Sequence, residues 1–232
     1  MLRRALPLLW FAGLPLIILS VLCVDRPLCT FLFDHGVPTG LVSSLSLLFH
    51  PSGGGAGAID LDPAAVINGA APILILVSFL ISPGRIRTYL MLAGASLLLT
   101  HVLKNDLKWA FHREWPFLWT EGHHAWKLNP AEGFHFCQGR FSDATDGIGS
   151  FPSGHTAMAF ALLLPLGLTW PRLLPWSIAA ASAAGVLLVL LGLHYLGDVL
   201  AGGLLGITCT LLVRDVLGLL TPPPGAMGSK RP

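Results

Sequence analysis

The chain has 232 residues, of which 53% are hydrophobic and only 11% are charged, and its mean hydropathy is +0.71. This composition excludes an ordinary soluble domain and predicts an integral membrane protein. The net charge is +2 and the basic residues are scattered, which argues against nucleic acid as a partner. We therefore expect the partners to be the membrane and anionic small molecules or lipids.

Six apolar segments are long enough to cross about 30 Å of hydrocarbon, which takes roughly 20 residues each. Gly197 and Asp198 mark the turn that separates the last two segments. The sequence therefore predicts an all-α fold, a bundle of six transmembrane helices. The segments lie at 5–24, 64–82, 88–107, 155–171, 175–194 and 198–217.

The N-terminal region, residues 1–25, begins with basic residues as a signal peptide does, but no A-x-A-like cleavage site follows its long apolar run. We interpret it as an uncleaved anchor helix. Residues 26–63 have a mildly amphipathic middle and a glycine-rich end, which predicts an interfacial helix and a loop. Residues 64–217 form the predicted transmembrane core, and the proline-broken tail at 218–232 is expected to be disordered.

The distribution of Lys and Arg predicts the orientation of the bundle. The short loops SPGRIRT and TWPRLLP carry arginines and are expected to face the cytoplasm, as are both termini. The longer segment 111–151 then lies outside, and we interpret it as a loop over the outer end of the bundle. Its histidines lack the i, i+4 spacing of helical metal ligands, so a metal site is not favoured. They are His112, His123, His124 and His135.

Three short stretches carry candidate chemistry, and the first is LKWAFHREWP at the outer end of the third span. Lys108 and Arg113 are five residues apart, so a helical turn and its exit can direct both cations to one anion. The alternative is that each cation only extends to the membrane surface.

The second stretch, SFPSGHTAMAF, starts a helix directly after Pro152. The first turn of a helix has unpaired backbone N–H groups and a dipole that favours a negative ligand, which predicts an anion site at Ser153, Gly154 and His155. The absence of a side chain at Gly154 lets the backbone approach the ligand. The alternative is that Ser153 is only an N-cap and His155 an interfacial residue.

The third stretch, LGLHYLGDVLAGG, places His194 and Asp198 four residues apart. Ionisable residues inside a membrane are costly and usually functional. A carboxylate at this spacing can accept a hydrogen bond from one imidazole nitrogen and leave the other to attack a substrate. A purely structural His–Asp pair is the alternative.

The predicted topology brings these three stretches to the same outer face of the bundle. The third and fifth spans end there and the fourth begins there. Cations, a helix N-terminus and two histidines suit phosphoryl transfer through a phosphohistidine, in which catalysis consists mainly of positioning and of stabilising charge.

These residues resemble a known family. Lys108 with Arg113 and Pro116, then PSGH, then His194-x-x-x-Asp198 followed by VLAGG, are similar to the three-part motif of the type 2 phosphatidic acid phosphatases. That family is the membrane branch of the superfamily that includes the vanadium haloperoxidases. The resemblance extends from about residue 103 into the sixth span.

The resemblance implies a role for each motif residue. His194 would be the nucleophile, Asp198 would hold it, and His155 would protonate the leaving alcohol and then activate water. No metal or other cofactor is implied, because cationic side chains stabilise the phosphoryl group. The residues implied to bind the phosphoryl oxygens are Lys108, Arg113, Ser153 and Gly154.

Two positions depart from the family pattern. The family has an arginine directly before Pro116, where this chain has Trp115, and another six residues before the nucleophile, where this chain has Leu188. Loss of one charged transition-state contact commonly costs about 2–4 kcal/mol, or roughly 10²–10³ in rate. Lys104, Arg140 or a loop histidine is a candidate substitute, and restoring an arginine at 188 is expected to raise turnover.

By this resemblance the chain is expected to be a multi-pass protein of a bacterial inner membrane, with its active site facing the periplasm. It would hydrolyse a lipid phosphate or diphosphate of the phosphatidic acid, phosphatidylglycerol phosphate or polyprenyl diphosphate type. A lipid phosphotransferase is a close variant, and Leu188 motivates a second alternative, a catalytically impaired relative that binds anionic lipids. A transporter is disfavoured because no inverted repeat is found.

Overall fold

The computed structural model describes residues 2–35, 63–116, 133–136 and 149–220. The predicted tail, most of the predicted 26–63 loop and most of the 111–151 segment lie outside these ranges.

Helices make up nearly all of the described residues. Helix α1 (Leu2–Leu19) continues through a π-helical turn (Ser20–Val24) into α2 (Asp25–His35). A 3-10 turn, Pro171–Leu173, connects α5 to α6. The remaining helices are α3 (Pro63–Leu80), α4 (Arg85–Phe111), α5 (Gly154–Thr169), α6 (Leu174–Leu190) and α7 (Leu196–Leu220).

The predicted all-α, multi-pass architecture is confirmed. Each of the six predicted spans coincides with an apolar helical segment. One of them, α5 (Gly154–Thr169), has 16 residues and is shorter than a full span. Among the residues that the structure describes, four helical segments are long and apolar enough to cross a membrane, namely Leu6–Leu32, Arg85–Phe111, Pro171–Leu190 and Leu196–Gly218.

The first helix extends past the boundary predicted at residue 25. Helix α2 follows the π-helical turn directly and is the described part of the segment predicted to lie at the interface. Single π-helical turns are often found at functional sites. The residue that follows this turn, Asp25, is only 1% exposed although it is an acid.

Helix α5 is the centre of the bundle and packs against α4, α6 and α7. Its approach to α7 depends on small residues. A Cβ atom at Gly202 or Gly206 would collide with the backbone carbonyl oxygens of Ser153 and Ala157 respectively. Glycines four residues apart let membrane helices come into backbone contact. This contact holds the first turns of α5 and α7 side by side, which positions the site described below.

Candidate active site

His194 and Asp198 form the contact that their spacing predicts. The Nδ1 atom of His194, in the turn before α7, lies 3.4 Å from Oδ2 of Asp198. The same oxygen accepts the backbone N–H of Tyr195 at 3.2 Å. Asp198 is fully buried and His194 is 3% exposed. The carboxylate therefore orients the imidazole through Nδ1, and chemistry by His194 would use Nε2.

The turn before His194 is shaped by glycine and by apolar packing. Gly192 has φ 68°, a left-handed conformation that suits glycine after the end of a helix. The backbone N–H of His194 donates to the carbonyl oxygen of Leu188 at 3.3 Å. The Leu188 side chain is 1% exposed and packs in a cluster with Leu191 and Leu193. An apolar cluster thus occupies the position of the family's third-motif arginine.

Ser153 is the N-cap of α5. Its hydroxyl oxygen accepts from the Thr156 backbone N–H at 3.5 Å and lies 3.0 Å from the Thr156 hydroxyl. Its own backbone N–H donates to the backbone carbonyl oxygen of Asp198 at 2.9 Å. His155 lies in the first turn of α5 and is partly buried. Ser153 therefore has the capping role weighed as an alternative above, and it also ties α5 to α7.

Two lysines of α4 reach this first turn of α5. Lys104 and Lys108 are 7% and 5% exposed. A Cβ atom at Gly154 would lie 3.6 Å from Nζ of Lys104 and 3.7 Å from Cε of Lys108. Lys108 donates to the backbone carbonyl oxygen of Gly149. Since both side chains lie against a helix N-terminus, this end of α5 is electrostatically suited to an anion.

Arg113 has partners that the sequence analysis did not expect. Its two terminal nitrogens lie 2.6 Å from Oδ1 of Asp198 and 2.8 Å from Oδ2 of Asp25. Its guanidinium carbon is 3.9 Å from the ring centre of Tyr195. Burial alone lowers the pKa of Arg113, but the charges of Asp198 and Asp25 outweigh it and hold the pKa above its ordinary value. The guanidinium assigned above to phosphate thus contacts carboxylates.

The backbone around Arg113 is held by the described parts of the predicted outer loop. Arg113 pairs with Phe134 in an antiparallel bridge. The backbone N–H of Ser150 donates to the carbonyl oxygen of Arg113 at 2.7 Å, and that of Glu114 donates to Gly133 at 2.7 Å. These bonds fix where the chain leaves α4 and hence where the guanidinium points.

Two residues that were given no role from the sequence lie at this end of the bundle, Asp25 and Trp115. Asp25 lies far from the motifs in sequence. The only sequence feature that could have indicated a role for it is a carboxylate at the end of an apolar span. The ring centre of Trp115 lies 4.9 Å from that of His194, and Nζ of Lys108 lies 5.0 Å from the Trp115 ring centre. Within the described ranges, no three His, Cys, Asp or Glu side chains are grouped as metal ligands would be.

The fold and these contacts define a multi-pass helical membrane protein with a His–Asp pair and buried lysines at one end of its bundle. The family model of the PAP2 superfamily matches residues 89–220, which is more than half of the chain. The chain therefore belongs to the PAP2 superfamily, and the resemblance drawn from its motifs is confirmed.

A solved structure supports the same fold over nearly the whole chain. It is described as the crystal structure of the first transmembrane PAP2 type phosphatidylglycerolphosphate phosphatase from Bacillus subtilis. It superimposes with a TM-score of 0.55 at 19% sequence identity, covering 94% of this chain and 98% of that one. Among proteins with curated descriptions, none matches this chain significantly.

Proposed function

We propose that this protein is a membrane-embedded phosphatase that hydrolyses a lipid phosphate or diphosphate through a phosphohistidine at His194. The buried pair of His194 and Asp198, next to the N-terminus of α5, carries the proposal. Membership of the PAP2 superfamily and the solved phosphatase of the same fold support it.

The proposed reaction has two steps. The Nε2 atom of His194 attacks phosphorus, the bond to the lipid oxygen breaks, and His155 donates a proton to that oxygen. His155 then takes a proton from water, whose oxygen attacks the phosphohistidine and releases inorganic phosphate. Asp198 stabilises the positive charge that develops on the imidazole in the first step. Neither step needs a metal in this proposal, since fixed positive groups surround the phosphoryl oxygens.

The phosphoryl oxygens are assigned to groups at the first turn of α5. Lys108, the Gly154 backbone N–H and the Ser153 hydroxyl keep the roles implied by the family motif. We add Lys104, because its ammonium group lies beside Gly154 and Leu188 provides no charge. Arg113 was assigned to the same oxygens from sequence, but its guanidinium contacts the carboxylates of Asp198 and Asp25, so it is left out of this set.

The substrate is proposed to be a phospholipid monoester or a polyprenyl diphosphate, with phosphatidylglycerol phosphate favoured by the solved structure of the same fold. Arg85 and Arg87 in the first turn of α4 and Arg172 in the 3-10 turn before α6 lie at the other end of the bundle from the site. With that end of the bundle in the cytoplasm, the site faces the periplasm of a bacterial inner membrane.

The test is phosphate release by detergent-purified protein from phosphatidic acid, phosphatidylglycerol phosphate and polyprenyl diphosphate. We expect release from at least one substrate and its loss in His194→Ala, while His35→Ala, an exposed histidine of α2, remains active. Transfer of the phosphoryl group to an added lipid hydroxyl in place of water would identify a phosphotransferase. Lipid binding without release from any substrate would favour the impaired relative that Leu188 suggests.

A further inference from the structure

The first helix contributes a buried carboxylate to the catalytic end of the bundle, and the reaction proposed above does not use it. Oδ1 of Asp25 accepts the hydroxyl of Ser20 at 2.7 Å and the backbone N–H of Gly197 at 2.8 Å. Oδ2 lies 2.8 Å from a terminal nitrogen of Arg113. Asp25 also lies outside the residues 89–220 that match the family model.

Arg113 connects this carboxylate to that of Asp198. One terminal nitrogen contacts Asp25 and the other contacts Asp198. A guanidinium is planar and rigid, so the position of one carboxylate constrains that of the other. Asp198 in turn presents its second oxygen to Nδ1 of His194. A continuous series of charged contacts therefore joins the first helix to the proposed nucleophile.

The backbone at Gly197 shows how closely α2 approaches the start of α7. A Cβ atom there would lie 2.7 Å from Oδ2 of Asp25 and 2.9 Å from Cγ2 of Val21. Because Gly197 has no side chain, Asp25 can approach its backbone N–H and accept a hydrogen bond from it. Gly197 directly precedes Asp198 in the sequence. Asp25 thus reaches the Asp198 region by two routes, through the Gly197 backbone and through Arg113.

We propose that Asp25 is a positioning residue of this active site, which through Arg113 and the Gly197 N–H fixes the carboxylate of Asp198 and so the orientation of His194. Arg113 is then the bridge between the two carboxylates, and the first helix is part of the catalytic apparatus as well as an anchor. This proposal rests on the proposed function, because the orientation matters only if His194 attacks a substrate.

The test compares Asp25→Asn with Asp34→Asn, an exposed acid on the same helix α2. Asparagine keeps the shape of Asp25 and an oxygen acceptor for Gly197 but removes the charge that holds Arg113. We expect kcat to fall about 10- to 100-fold in Asp25→Asn with KM changed less than about twofold, because misorientation of a reacting group reduces kcat by such factors. Asp34→Asn is expected to match the wild type in both.

A second variant keeps the test decisive if Asp25→Asn folds poorly. Ser20→Ala retains every charge and removes only one hydrogen bond to Asp25. We expect kcat to fall several-fold, with KM and the thermal unfolding temperature near those of the wild type. A purely structural role would instead lower the unfolding temperature or the yield of both variants while each folded enzyme kept the wild-type kcat, and that result would overturn the positioning role.

The failure of this inference is distinguishable from the failure of the proposed function. A wild-type protein that releases no phosphate from any lipid in the panel, or a His194→Ala variant as active as the wild type, would overturn both. A wild-type protein whose activity is lost in His194→Ala but unchanged in Asp25→Asn would overturn the inference alone.

Discussion

The backbone N–H of Ser153 donates a 2.9 Å hydrogen bond to the backbone carbonyl oxygen of Asp198. Ser153 caps α5 and Asp198 lies in the first turn of α7, so this bond joins two of the three motif stretches through their main chains. Breaking this bond would leave buried backbone groups without a partner, which is costly, so we expect the bond to persist in the folded protein. The distance between the first turn of α5 and the His–Asp pair is therefore set by backbone geometry.

The first prediction concerns the glycine that permits this bond. Because a Cβ atom at Gly202 would collide with the carbonyl oxygen of Ser153, Gly202→Ala is expected to push α5 and α7 apart. Overpacking of this kind typically costs about 1–3 kcal/mol. We expect a lower thermal unfolding temperature in detergent and a lower kcat. The matched control is Gly218→Ala on the same helix, where nothing lies within 4 Å, and unfolding of both variants at the same temperature would contradict the prediction.

The second prediction tests Lys104 as the cation that replaces the missing arginine. Lys104→Met keeps the length of the side chain and removes its charge beside Gly154. We expect kcat/KM to fall roughly 10²–10³-fold, the usual effect of losing one charged transition-state contact. Arg85→Met removes a charge at the other, exposed end of the same helix and is expected to leave kcat/KM unchanged. Equal activity of the two variants would remove Lys104 from the site.

The third prediction concerns Leu188, where the sequence analysis expected an arginine to raise turnover. In the structure this side chain is 1% exposed and packs with two other leucines. We now expect Leu188→Arg to lower the thermal unfolding temperature and the activity, because an unpaired buried charge is strongly destabilising. Leu188→Met conserves volume and should cost less than about 1.5 kcal/mol. A gain in turnover for Leu188→Arg would show instead that the site accepts the family's arginine.

The fourth prediction is that a chelator leaves phosphatase activity unchanged. In the proposed mechanism the buried lysines and the N-terminus of α5 stabilise the phosphoryl oxygens, the electrostatic role that a metal ion has in many other phosphatases. Phosphate release would be measured with and without excess EDTA, with a metal-dependent phosphatase in the same assay to show that the chelator works. Loss of activity that returns on adding a divalent cation would contradict the prediction.

Much of the fold was predictable because its signals are local. An apolar run of about 20 residues is sufficient to indicate a membrane span, and all six predicted spans coincide with apolar helical segments. At the boundary drawn at residue 25, the helix continues through a π-helical turn to His35. No sequence pattern predicts a π-helical turn. The apolar run also ends near residue 24, before the helix itself ends at His35.

Some contacts of the candidate site were also predictable from local sequence, and others were not. The contact of His194 with Asp198 and the cap at Ser153 each join residues three or four positions apart at the start of a helix, so the local sequence is sufficient to indicate them. The helical class, the family and the three motif stretches could therefore be identified from local sequence patterns.

The partners of Arg113, in contrast, depend on tertiary contacts. Asp25, Arg113 and Asp198 lie on separate segments, and their distances depend on how α2, α4 and α7 pack. That packing rests on close approaches such as Gly197 to Asp25 and Gly202 to Ser153. Contacts between residues so distant in sequence produce no periodic pattern, because they form only when the helices pack together.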